Sequence, residues 1–241
     1  MKKFLFGLLA IVGFATLISW KGWENIQGSG NLKKETREVG SFSGIESRGS
    51  MNVVISYGSS NQITVEADDN LLELIETKVE GKNLVIKSKD KTGFSTKNKI
   101  TITVQMKTID KLALSGSGNI SGTGGFNGAN TEMSVSGSGN IKLGFSSFDK
   151  LETSISGSGN IKLSDGKLGS VDASISGSGQ LDAVDVPCNS VMAHISGSGN
   201  MKITANNSIE ARISGSGSIH YKGSATNVVA KTSGSGRVVK M

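Results

Sequence analysis

Seven copies of Ser-Gly-Ser-Gly, two histidines and one cysteine are the parts of this chain whose types and spacing could do chemistry. The phrase begins at Ser115, Ser136, Ser156, Ser176, Ser196, Ser214 and Ser233, at intervals of 21, 20, 20, 20, 18 and 19 residues. A glycine-rich phrase cradles phosphate when a strand leads into it, a helix leaves it and a Lys sits within it. None of these copies offers a helix. Calcium-binding β-rolls need a regular Asp after the glycines, where this chain has Asn119, Asn140, Asn160, Gln180 and Asn200, then Ser218 and Arg237. Stacked amides hydrogen-bond up a column, so an internal amide ladder is expected there. Together with Ser138, Ser158 and Ser178 it forms the candidate structural or binding ladder. No catalytic residue, metal ligand or cofactor is expected.

The remaining reactive groups have plain readings. His194 and His220 occupy positions where other copies carry Ser, Arg or Lys, so each is expected on a solvated face, without the partners that a metal or triad site requires. Cys188 stands eight residues before its Ser-Gly-Ser-Gly, the offset of Phe148 and Leu168, and is expected to be a small core residue. A single Cys also excludes an intrachain disulfide and any CxxC metal site. Glu132, Glu152 and Asp172 are expected near Lys142 and Lys162 on an exposed face. A glycan-cleaving enzyme would need convergent carboxylates and aromatics for sugar stacking. Tyr57 and Tyr221 are the only tyrosines, and Trp20 and Trp23 both lie near the start.

The elements that must position these residues follow from the repeat. A period near 20 signals a solenoid. The residue before each copy is Leu114, Val135, Ile155, Ile175, Ile195, Ile213 or Thr232, and the residue three before is Leu112, Met133, Thr153, Ala173, Ala193, Ala211 or Ala230. Between these columns lie Ala113, Ser134, Ser154, Ser174, His194, Arg212 and Lys231, so the segment alternates with the period of a strand. A second apolar column follows the glycines, at Ile120, Ile141, Ile161, Leu181, Met201, Ile219 and Val238. Each unit is two strands around a glycine corner. One apolar face cannot be buried alone, so stacking like on like at ~4.8 Å gives an all-β fold, a parallel β-helix. Its winding is expected to be right-handed, as in parallel crossovers generally.

Residues 111–241 read as the regular coils of a single β-helix domain spanning 41–241, and 41–110 as irregular first coils or a cap, with strands at NQITVEA, NLVIKSK and KITITVQM and a helical turn near Asp68–Asn70. Residues 21–40 read as a linker. Lys2 and Lys3 precede an apolar run from Phe4 to Ile18, the layout of an export signal or a retained anchor over 1–20. The formal charge of +6 is dispersed, unlike the clustered stripe that nucleic-acid binding needs.

The chain resembles the bacterial family catalogued as putative autotransporter adhesin, head GIN domain. SFSGIESRGSMNVVIS near the start, LALSGSGNI at 112–120 and the later SGSGN and SGSGQ corners carry the resemblance, over roughly Phe42 to Val239. It implies an exported, single-domain β-helix of the pectin-lyase-like kind, with aligned GSG corners, no retained catalytic residues and a role in adhesion. Ser218 and Arg237 depart from the family-like Asn. The expectation is a non-catalytic, exported interaction module of the cell envelope, in the periplasm, on the outer surface or secreted. Its partner would be a protein or a surface glycan. Membrane contact would come only through an uncleaved N-terminal segment. The alternatives are a periplasmic structural protein self-associating through its C-terminal edge, and a carbohydrate-active enzyme.

Overall fold

Apolar residues at every second position in segments rich in Ile, Val and Ser favour strands with one buried face, and strands dominate the computed structural model, which describes residues 24–89 and 92–241. The segment read as an export signal or anchor lies outside the described residues. No helix among them is long and apolar enough to cross a membrane.

The regular body begins at β10 (Lys111–Gly116) in chain order, after nine strands that build the N-terminal end. Those are β1 (Glu24–Gln27), β2 (Leu32–Glu38), β3 (Gly44–Gly49), β4 (Asn52–Tyr57), β5 (Gln62–Asp68), β6 (Ile75–Glu80), β7 (Asn83–Ser88), β8 (Thr92–Ser95) and β9 (Thr101–Met106), with a 3-10 turn at Asp69–Leu74. The coils then run through β11 (Asn119–Thr123), β12 (Asn127–Gly137), β13 (Asn140–Gly144), β14 (Ser147–Gly157), β15 (Asn160–Ser164) and β16 (Lys167–Gly177). They finish with β17 (Gln180–Gly197), β18 (Asn200–Gly215), β19 (Ser218–Lys222), β20 (Asn227–Gly234) and β21 (Arg237–Lys240).

The coils pair in parallel, and their register is regular except between β17 and β18, where it shifts between Ala183 and Pro187 and again between Cys188 and Ser190. Ile155 sits beside Ile175 and Ile175 beside Ile195, and Ile141 beside Ile161, Leu181 and Met201 in turn. The result is a parallel β-solenoid of about six turns. The apolar columns are buried, and each Ile, Leu, Val or Met in them contributes ~1.5–3 kcal/mol by leaving water. The columns are open only in the last coil, where every residue of β20 is exposed. Phe145 stacks on Phe148 with ring centroids 4.2 Å apart, filling one corner of the interior.

The N-terminal end is closed by a change of strand direction. β3 and β4 stack on β10 and β11, and β7 and β9 continue the two faces by one more layer. β5 then runs antiparallel to β9, β2 antiparallel to β5 and β6 antiparallel to β7. Within the segment read as a linker, the described residues carry β1 and β2, and β2 pairs with β5 as part of the cap. The reason lies in Arg37, whose guanidinium donates to the carbonyls of Ile75 at 2.6 Å and Leu72 at 2.7 Å and to Thr77 Oγ1 at 3.1 Å. It adds a second donor to Leu72 O, which also accepts from Ile75 N–H, and so ties β2 to the end of the 3-10 turn. At the other side of the cap the buried Asp68 accepts from Asn98 Nδ2 at 2.6 Å and Thr96 Oγ1 at 2.7 Å, and these bonds hold its carboxyl below the usual value.

Candidate functional site

The corners are built by two glycines with separate duties. Gly137, the first, has φ 117°, a backbone region essentially closed to residues with a Cβ. A Cβ placed on it would also lie 2.7 Å from the carbonyl oxygen of Gly116 in the coil before. Gly139, the second, has ordinary φ but no room, since a Cβ there would meet Gly118 O at 2.5 Å and Leu114 Cδ2 at 2.6 Å. Coils thus approach backbone to backbone at the corner. Ser138 N–H donates to Gly116 O at 3.0 Å and Asn140 N–H to Gly118 O at 3.2 Å. Ser158, Ser178 and Ser198 repeat the first of these bonds one coil later each.

Stacking the corners aligns what they display. Ser138, Ser158 and Ser178 are exposed and successive, flanked by Ser136, Ser156 and Ser176 on the strand side, all exposed. The corner face therefore carries two lines of hydroxyls at the coil spacing of ~4.8 Å. Beside them run the amides. Asn119 Nδ2 donates to Asn52 Oδ1 at 2.8 Å, Asn140 Nδ2 to Asn119 Oδ1 at 3.0 Å and Asn160 Nδ2 to Asn140 Oδ1 at 2.8 Å. This ladder is on the surface and not internal, since Asn119, Asn140 and Gln180 are exposed and Asn160 and Asn200 half-buried. It also stops at Asn160. Gln180 has one methylene more and takes no part, and Asn200 Nδ2 bonds instead to Ser198 O at 3.4 Å.

One member of the ladder was missed by reading Ser-Gly-Ser-Gly literally. Arg48–Gly49–Ser50–Met51 forms an eighth corner, with Gly49 opposite Gly116 and Asn52 opposite Asn119. Its signal is in the degenerate phrase SRGSMNV, which keeps the first glycine, the second serine and the Asn.

The other candidates fall apart from one another. Cys188 is buried between Leu168 and Ala205 in its column, and burial pushes its thiol up to about 12. His194 is exposed and His220 half-exposed, on strands before and after the corner. Glu132, Glu152 and Asp172 do stack in register, but Glu132 pairs with Lys111 at 3.7 Å and not with Lys142 or Lys162. Lys162 pairs with Asp182 at 4.0 Å. The corner separates the two faces. A groove of about 390 Å³ runs along the acidic side, lined among others by Asp172, Met192, Glu210 and Val229. Among the described residues no three His, Cys, Asp or Glu side chains gather in a way that could hold a metal.

Solved structures with this architecture share most of the chain. A protein of Bacteroides fragilis described as a putative adhesin superposes with a TM-score of 0.80 at 25% identity, over 90% of this chain and 100% of its own. A putative adhesin of Parabacteroides merdae gives 0.72 at 24%, over 90% and 99%. A protein of Parabacteroides distasonis described as a putative lipid binding protein gives 0.72 at 23%, over 90% and 100%. No curated protein matches the chain. Residues 41–225 match one family in sequence. With its stacked glycine corners and parallel coils, this chain belongs to the family described as putative auto-transporter adhesin, head GIN domain.

Proposed function

We propose that the protein is a non-catalytic, exported interaction module of the cell envelope that meets its partner through the serine-lined corners. The observation that carries this reading is the register of the corners, which turns one small residue type into a flat, repeated display of hydroxyls on a rigid support. Binding groups held on a stiff scaffold lose little conformational freedom on association. Family membership supports an adhesive role, and Lys2 and Lys3 before the apolar run support export.

The test replaces Ser138, Ser158 and Ser178 together with Lys. These side chains point to solvent, so the β-sheet circular dichroism should stay put and the unfolding midpoint should fall only slightly, through repulsion of like charges at the coil spacing. Binding of the purified protein to a panel of matrix proteins and glycans should be lost. Binding unchanged across the panel removes the corner face from consideration. Surface biotinylation of Lys142, Lys162 and Lys202 on intact cells locates the rod, and labelling only after the envelope is opened argues against an adhesin.

A further inference from the structure

One outward column abandons serine near the C-terminal end. In register from β12 to β20 it holds Ser134, Ser154, Ser174, His194, Arg212 and Lys231. The basic side chains are thus confined to three successive strands. Two residues further on, and on the same side because strand side chains alternate, these strands present Ser196, Ser214 and Ser233. His194, Arg212, Ser214, Lys231 and Ser233 line a shallow depression of about 190 Å³. Arg212 Nη2 donates to Glu210 Oε1 at 2.7 Å, which steadies the guanidinium. Among the described residues this is its one partner, so most of its five N–H donors face solvent.

We infer that this face binds an oxyanion, a sulfate ester or a carboxylate, carried by a polysaccharide chain lying along the rod. A planar guanidinium engages two oxygens of such a group at once. The Lys231 ammonium adds a mobile charge one strand away, and the adjoining hydroxyls donate to the remaining oxygens. The three strands span ~10 Å at the sheet spacing, room for anionic groups on neighbouring sugars. Beyond them the column continues as Ser174, Ser154 and Ser134, hydrogen-bonding partners for neutral sugar hydroxyls along the same line. An anionic bilayer fits less well, because each Lys or Arg near such a surface contributes only ~1 kcal/mol and recruitment takes a cluster of them. Here there are two, with the Glu210 carboxylate beside them. The site lies on the strand face next to the corner, and it stands whether or not the corner serines bind anything.

The experiment uses the full chain with dextran sulfate and unsulfated dextran as probes. His194→Ser, Arg212→Ser and Lys231→Ser together restore the residue that earlier coils carry in this column, so the fold should tolerate them. A control variant, Lys142→Ser with Lys162→Ser, removes two permanent charges from the other face. The expected result is binding of dextran sulfate but not dextran, weakened about tenfold or more in the triple variant and little changed in the control, a difference of ~1.4 kcal/mol or more. Ser138→Ala, Ser158→Ala and Ser178→Ala together should leave this binding intact, which separates it from the corner-face reading. Equal loss in both charge variants reduces the effect to net charge and overturns the site. So does absence of dextran sulfate binding by the unmodified protein, and binding to phosphatidylglycerol vesicles in its place assigns the face to a membrane.

Discussion

Gly81 and Gly137 both have positive φ, 63° and 117°, yet they answer to different constraints. A Cβ on Gly81 would meet nothing within 4 Å, so Gly81→Ala costs only the left-handed backbone, ~1–2 kcal/mol. At Gly137 the φ is less accessible still and the carbonyl of Gly116 fills the space. Gly137→Ala is therefore expected to cost on the order of 3 kcal/mol or more, combining backbone strain with overpacking. Urea unfolding of the two variants checks this, and equal midpoint shifts would mean that the stacked corners have slack. The same logic explains Cys188. Its neighbours in the column are Leu168 and Ala205, and a thiol in that place is packing material. Its position was legible from the sequence because the eight-residue offset recurs in three coils.

Among the elements, the cap depends on polar bonds between segments far apart in sequence. Asp68 joins the end of β5 to the turn between β8 and β9 through Asn98 and Thr96. Because its carboxyl is held below the usual value by those bonds, its contribution is fully present above the ordinary carboxylate range. It is lost as pH falls through that range toward the depressed folded value. Hydrogen-exchange protection at residues 28–31 and 96–98, taken relative to the intrinsic rate at each pH, should fall selectively at low pH, and Asp68→Asn should remove the difference. Uniform loss of protection along the whole chain would rule out this clasp. These contacts could not be read beforehand. The coils were legible because every constraint on Ile155 applies again to Ile175 and Ile195. Nothing repeats in β2, where Arg37 serves carbonyls at Leu72 and Ile75, so the segment looked like a linker. The ladder was half legible: the Asn column is plain, but its surface position and its end at Gln180 depend on where the corner points the amides. The pairing expected for Glu132, Glu152 and Asp172 failed for a similar reason, since alternation gives inside and outside but not which face of the coil a residue occupies.

Over the whole molecule, stability is graded from a closed end to an open one. The cap buries Ile63, Val65, Leu71, Leu84 and Ile102, while β20 at the far end is exposed throughout. Local opening free energies follow such differences in burial. The interior between the ends is made of interchangeable layers that contact only their neighbours. Deleting residues 157–176 joins Ser156 to Gly177 and brings the columns back into alignment. This variant should fold, with a loss of stability smaller than that of a ten-residue deletion from the same place, which misaligns both apolar columns. Thermal unfolding of the two checks this, and equal collapse would show that the layers are not interchangeable. The close approach of glycine carbonyls at the corners then has a consequence for descent. A corner cannot lose its first glycine alone, because the positive φ and the close carbonyl recur from layer to layer, and even the altered corner with Arg48 and Met51 keeps Gly49. Proteins built this way change length by gaining or losing whole coils, and inherit their reach in steps of ~4.8 Å.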